Sequence, residues 1–222
     1  MMTNPPEFLS IPARATTGEP GRQPRQERSR NRVETILEVA LELVVEQGAE
    51  ALAMREIARR AEVQISSIYQ YFPSKAHIIR ELAKRNLARV RLLLQDEVRR
   101  LLAEFHNRPP VGAAVNRLVD AYFAHYRDQP DALAVWAGAQ SDHGLRELDL
   151  EDTLSTAEFL VAPLQHILRR DEREVIYPLA LLVSEVTGAA ARLALALESP
   201  LRERLIASHK AMLVATLEAH RQ

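Results

Sequence analysis

The chain has 222 residues, 47% of them hydrophobic, and a net charge of −1; that is enough apolar material for a real core, and too balanced a charge for a surface coated throughout by nucleic acid. It contains no cysteine, which excludes a disulfide framework, a thiolate metal site and a thiol nucleophile. Only seven glycines stand against abundant Ala, Leu, Glu and Arg, residues that lose little freedom in a helix, so an all-α chain is predicted.

The opening MMTNPPEFLSIPARA has neither a basic n-region nor a continuous apolar h-region, and no apolar run reaches the roughly 18 residues of a bilayer crossing. A cytoplasmic chain with no membrane partner is expected. Residues 1–27 hold five of the twelve prolines and show no apolar period, which predicts a disordered basic arm. Its arginines either reach a DNA groove or remain solvated. The first half of the chain is the more basic: residues 1–107 carry 17 Lys and Arg against 14 Asp and Glu, a net +3, leaving −4 for residues 108–222.

From Arg30 the texture changes. Ile36, Val39, Ala40, Leu43 and Val44 mark one face of an amphipathic helix, and Gly48 is its expected stop. A second, short helix fits MREIARRA, with Ile57, Ala58 and Ala61 as a narrow apolar face. A third fits Ile65 to Tyr71, with Ile68 and Phe72 facing inward and Pro73 ending it; Ser74 is the expected cap of a fourth. Three such helices with a tight turn between the second and third form the layout that holds a recognition helix out from a small core. With Ile68 and Phe72 buried, Ser66, Ser67, Gln70 and Tyr71 are expected outside and Tyr69 at the flank. Hydroxyls and a carboxamide suit phosphates and base edges, and Lys75 adds a cation at a helix N-terminus.

The stretch VETILEVALELVVEQGAEALAMREIARRAEVQISSIYQYFPSKAHII, and within it I-A-x-x-A-x-V followed by I-Y-x-Y-F-x-S-K, resembles the N-terminal DNA-binding segment of TetR-type transcriptional repressors. The resemblance implies a homodimer on double-stranded DNA with one helix-turn-helix per subunit, and a larger helical domain that dimerises and takes a small effector. It places Arg55, Ser66, Ser67, Tyr69, Gln70, Tyr71 and Lys75 at family DNA-contact positions. Three residues depart from the family pattern: Ala53 replaces a capping Thr, Glu62 replaces a turn Gly and must adopt a positive φ or bend the turn differently, and Gln64 replaces a better cap. On this reading residues 28–74 are the DNA-binding domain and 75–222 the effector-binding and dimerisation domain.

Beyond Lys75 a long helix is predicted to about His106, closed by NRPPVG. Further helices are predicted at roughly 111–128, 130–141, 151–169, 173–198 and 200–220. Small residues in TGAAARLALALE (187–198) permit close approach of a neighbouring helix, and LIASHKAMLVATL supplies a partner stripe. These last two helices, about 173–220, either pack within the chain or, as the resemblance implies, form a four-helix interface between subunits. A hydrophobic or aromatic effector is expected, with Trp136, Tyr122, Phe123, Tyr126, Phe159, His166 and Tyr177 as candidate lining residues, since a pocket needs mostly apolar walls and a few polar groups. Its binding would alter the angle between the two reading heads through the fourth helix.

Catalysis is not expected. There is no H-E-x-x-H, G-x-S-x-G, P-loop or G-x-G-x-x-G, and no cofactor or metal is called for. The competing reading is a helical ligand-binding or scaffold protein that has lost DNA binding, motivated by Ala53, Glu62 and Gln64.

Overall fold

The computed structural model describes residues 25–129, 131–135 and 146–221, and every regular element among them is a helix. In chain order these are α1 (Arg25–Gln47), α2 (Met54–Arg60), α3 (Ile65–Tyr71), α4 (Lys75–Glu104), α5 (Val111–Asp128), α6 (Arg146–Leu168), α7 (Arg173–Leu195) and α8 (Leu201–Glu218), with a further helical stretch at 131–135. Residues 1–24 of the expected arm, the break at Pro130, Trp136 and His143-Gly144 lie outside the described residues.

Most boundaries follow the local chemistry. Gly48 takes φ 83° at the end of α1, its N–H donating to the Val44 carbonyl at 2.9 Å, the left-handed C-terminal geometry that glycine adopts without strain. Pro73 stops α3. His106 and Asn107, at φ 49° and 62°, close α4, and Pro110 precedes the first turn of α5. Three features differ from expectation, the first being that α6 begins at Arg146, ahead of the predicted 151. α1 begins at Arg25, so residues 25–27 of the predicted arm are helical; Arg, Gln and Glu are good helix formers that leave no apolar period to read, and Glu27 in the first turn favours the helix dipole. Ser74 does precede α4, but its hydroxyl pairs with His77 Nδ1 at 2.9 Å and makes no side-chain cap.

Two apolar clusters organise the chain. The first joins α1, α2, α3 and the start of α4, with Ile36, Leu43, Ile57, Ile68 and Ile78 fully buried; each such side chain contributes about 1.5–3 kcal/mol. Its members include Ile79, Leu82 and Ala83 of α4, and Val135 from the 131–135 stretch. The second holds α5 to α8 together around Val111, Ile167, Leu168, Ile176 and Leu213, with Leu101 of α4. A third, smaller cluster of Val90, Leu94, Tyr126 and Ala132 lies along α4 and α5. Arg85 on α4 forks onto Glu34 on α1 at 2.5 and 2.9 Å, which ties the N-terminal helices to α4.

Candidate nucleic-acid interface and ligand cavity

α3 is short and survives by tertiary packing. Seven residues are too few to hold a helix in water, and neither Gln64 before α3 nor Ala53 before α2 supplies a side-chain cap. Ile68 and Phe72 anchor α3 in the core at 0% and 7% exposure. Ser66, Tyr69 and Gln70 then fall on the exposed face, with Ser67 half-buried beside them. The turn before α3 is made with Glu62 at φ 52°, and Val63 N–H donates to the Ala58 carbonyl at 3.1 Å.

Tyr71 differs from its expected outward position. It is half-buried against the head core, and its hydroxyl pairs with Ser29 Oγ of α1 at 2.9 Å. The cause is the early start of α1, which brings Ser29 over the end of α3. Lys75 is exposed and donates from Nζ to the Glu50 carbonyl at 2.7 Å, leaving two of its three ammonium protons for another acceptor.

The arginines of α2 divide into two kinds. Arg59 and Arg60 are ion-paired: Arg59 forks onto Glu56 at 2.7 and 2.9 Å, and Arg60 forks onto Glu46 at 2.8 and 3.0 Å and also reaches Glu56. Hydrogen bonds from Arg59 and then Arg60 hold the Glu56 carboxyl down to about 2. Arg55 is exposed and makes no hydrogen bond or ion pair among the described residues. Arg55 on α2 and Lys75 at the start of α4 are therefore exposed cations without a carboxylate partner among the described residues, while Arg59 and Arg60 are neutralised locally.

A cavity of about 120 Å³ lies among the C-terminal helices. Of the expected lining residues, Tyr122, Tyr126 and Phe159 are in its wall, the two tyrosine rings edge to face with centroids 5.2 Å apart. Phe123, His166 and Tyr177 are not. Phe123 points into the second core, 6.3 Å from the His209 ring; His166 is exposed; and Tyr177 is half-buried beneath the Arg173 guanidinium at 5.1 Å. The rest of the wall comes from residues that aromatic content does not mark: Leu87, Val90 and Leu94 on α4, Leu118 on α5, Leu160 and Pro163 on α6, and Val183 and Gly188 on α7. Pro163 has no N–H to give the Phe159 carbonyl, which relaxes α6 beside the cavity.

The polar members of the wall are Arg91, Thr153, Thr156, Ser184, Glu185, Thr187 and Arg192. Thr153 donates to Glu185 at 3.1 Å. Arg91 Nη2 donates to Ser155 Oγ at 2.6 Å, while Arg91 Nε is buried with no hydrogen-bond partner among the described residues, an omission that costs about 1–3 kcal/mol. Next to the cavity, Asn86 at 2% exposure donates to the Tyr126 hydroxyl at 3.2 Å and pairs through Oδ1 with His125 Nε2 at 3.0 Å. Burial, then the nearby Arg89 cation, pushes the His125 pKa below its ordinary value.

On α7 the small residues Gly188, Ala191 and Ala194, expected to admit a neighbouring helix, are buried within the chain. The helix that approaches them belongs to the same chain. The opposite face carries Leu182 and Leu193, each 54% exposed, and α8 adds Leu201 at 55% and Met212 at 47%. α7 is long and apolar enough by composition to cross a membrane; here its inner face is in the core and its outer face carries this stripe.

The family model for the N-terminal domain of bacterial regulatory proteins of the tetR family matches residues 36–82, and that for the tetracyclin repressor-like C-terminal domain matches residues 109–221. The chain is 34% identical over 90 residues to the HTH-type transcriptional repressor KstR of Rhodococcus jostii (strain RHA1), covering 40% of this chain and 42% of that protein. It is 38% identical over 64 residues to KstR of Mycolicibacterium smegmatis, covering 29% of this chain and 31% of that one. The matched part is thus well under two thirds of either repressor. Among solved structures, a TetR-family transcriptional regulator from Streptomyces coelicolor matches 85% of this chain and 99% of its own at 26% identity and a TM-score of 0.60. A transcriptional regulator from Cytophaga hutchinsonii ATCC 33406, at 15% identity, shares the fold over 85% of this chain and 97% of its own with a TM-score of 0.59.

Proposed function

The chain belongs to the TetR family of DNA-binding transcriptional regulators, and on that premise we propose that it is a cytoplasmic repressor that binds a palindromic operator as a homodimer and is released by a small apolar effector. The observation that carries the reading is the outward face of α3, where Ser66, Tyr69 and Gln70 stand exposed above the buried Ile68 and Phe72. In this reading those side chains and Ser67 meet base edges and phosphates in the major groove, and Arg55 and Lys75 hold the backbone. Tyr71 buttresses α3 against α1 through Ser29. Residues 28–74 supply the reading head and 75–222 the dimer contacts and the effector site.

The exposure of Leu182 and Leu193 on α7 and of Leu201 and Met212 on α8 supports dimerisation through these two helices, because large apolar residues left in solvent are candidates for burial against a partner. The cavity supports effector binding: apolar walls from five helices with a few polar groups are what a small-molecule site requires. The 131–135 stretch supports coupling between the two. Ala132 packs with Tyr126 of the cavity wall while Val135 sits in the core of the reading head, so a shift of the wall on ligand entry displaces a piece of the head.

Selection of random duplex DNA by the purified protein tests this. The expected winner is a palindrome whose half-sites lie about one helical turn apart, near 34–36 Å, or a multiple of it. On that operator Lys75→Ala lowers affinity for every sequence and reduces the salt slope by about one. No enrichment at low salt would overturn the reading.

A further inference from the structure

From the polar atoms in the cavity wall we infer that the effector carries a carboxylate, and that Arg91 is the residue that receives it. This rests on the effector reading above and gives it a chemical class: an apolar monocarboxylic acid.

A guanidinium stays protonated at every physiological pH. Arg91 holds one at the wall of a cavity whose other lining is mainly aliphatic and aromatic. Among the described residues its counterpart is a neutral hydroxyl, Ser155 Oγ, and it makes no ion pair. The two donors on the side edge of a guanidinium, Nε–H and one Nη2–H, are the pair that grips a carboxylate with both oxygens. In Arg91 that edge is half used: Nη2 is on Ser155, and Nε is buried and empty. Ser155 accepts this bond, so its own proton remains to be donated. A carboxylate oxygen at Nε would satisfy that donor, leave the existing bond from Nη2 to Ser155 in place, and cancel the charge.

With Arg91 counted, the charged members of the wall sum to a net positive charge among the described residues. Arg192 adds a second cation and Glu185 the sole carboxylate among the described lining residues, and Glu185 is already held by Thr153. A neutral apolar ligand would fill the space but leave Arg91 Nε unpaired. A cationic ligand would meet two arginines. The sequence does not show this grouping because Arg91, Ser155 and Arg192 come from three different helices, α4, α6 and α7.

The test uses the full-length protein, with the neutral dye Nile red as reporter of the cavity. Dodecanoate and 2-naphthoate are titrated against their methyl esters at pH 7.5, each pair matched in tail and differing in charge. The expected result is that at least one acid displaces the dye with a dissociation constant about tenfold or more below that of its ester, the margin of a charged hydrogen-bonded pair. Arg91→Met removes that margin and leaves the ester's constant within about twofold. If Arg91→Met does not fold, Arg91→Gln, which keeps a neutral donor for Ser155, reads the same margin. Equal affinity of acid and ester in the wild type, or an acid margin that survives the loss of Arg91, overturns the carboxylate proposal while the cavity remains an effector site. Failure of dye, acids and esters alike to bind overturns the effector reading itself, and this proposal with it.

Discussion

Glu62 sits at φ 52° in the turn between α2 and α3, where a side chain with a Cβ is held at a cost of about 1–3 kcal/mol. The surrounding contacts, Ala61 and Ile68 in the core and the Val63–Ala58 hydrogen bond, force the conformation on whatever residue stands there. Glu62→Gly therefore relieves strain without moving the turn. It is expected to raise unfolding stability by about 1 kcal/mol and to tighten DNA binding by removing a carboxylate from the rim of the reading face. Urea unfolding and fluorescence anisotropy on the selected operator check the two halves separately; a less stable Glu62→Gly would mean that the carboxylate has a structural partner in solution. At this scale the sequence was legible where one residue decides its own backbone, as at Gly48; at Glu62 it left a positive φ and a differently bent turn both open, because the neighbours decide. It was not legible at Tyr71, whose orientation depends on Ser29, a residue far upstream in a segment with no apolar period.

Among the elements, α7 carries apolar residues on two faces. Ile176, Leu179, Ala180, Gly188, Ala191 and Ala194 are buried in the chain's own core, while Leu182 and Leu193 face outward. Since the outward pair contributes little to the folded subunit, the double change Leu182→Glu and Leu193→Glu is expected to halve the mass seen by sedimentation equilibrium with the helical circular dichroism unchanged. A monomeric wild type would remove the dimer reading; loss of helicity in the variant would place those leucines in the subunit core. The helices themselves were readable from period and punctuation, and α5 falls at the predicted 111–128. What periodicity does not reveal is which side of an all-round apolar helix is already occupied. That is why the small residues of α7 left both packings open; Gly188, Ala191 and Ala194 serve packing within the subunit, while Ala189 is exposed.

For the molecule as a whole, two buried histidines set an acid limit. Burial lowers the pKa of both His125 and His209 from the ordinary 6.5; His125 bonds to Asn86 and His209 to Thr187 at 3.2 Å. With the folded value below the unfolded one, the unfolded chain binds more protons in the interval between them, so stability is complete above about pH 6.5 and is lost as pH falls through that interval. The urea midpoint is expected to be level from pH 8 to 7 and to decline below about 6.5, and the pair His125→Gln and His209→Gln should flatten that decline. The surface carboxylates act later, because Glu56, held near 2 by its arginines, yields only under stronger acid. An unchanged decline in the double variant would assign it to other groups. The reading head was visible in the sequence because its residues lie within one short stretch. The cavity was visible only in part, since aromatic content found Tyr122, Tyr126 and Phe159 and missed Arg91, whose neighbours Leu92 and Leu93 give no hint of a charged ligand.

Val135 completes the core under the reading head although it lies beyond α5 in the chain. An engineer who grafts residues 28–74 onto another regulator's body would leave that side chain behind, along with Ile78, Ile79 and Leu82. The exposed underside would forfeit several kilocalories per mole, a large share of what a small domain has in reserve. A transplant of this specificity that keeps its fold must carry the start of α4 and a substitute for Val135; a cut at residue 74 yields a molten reader.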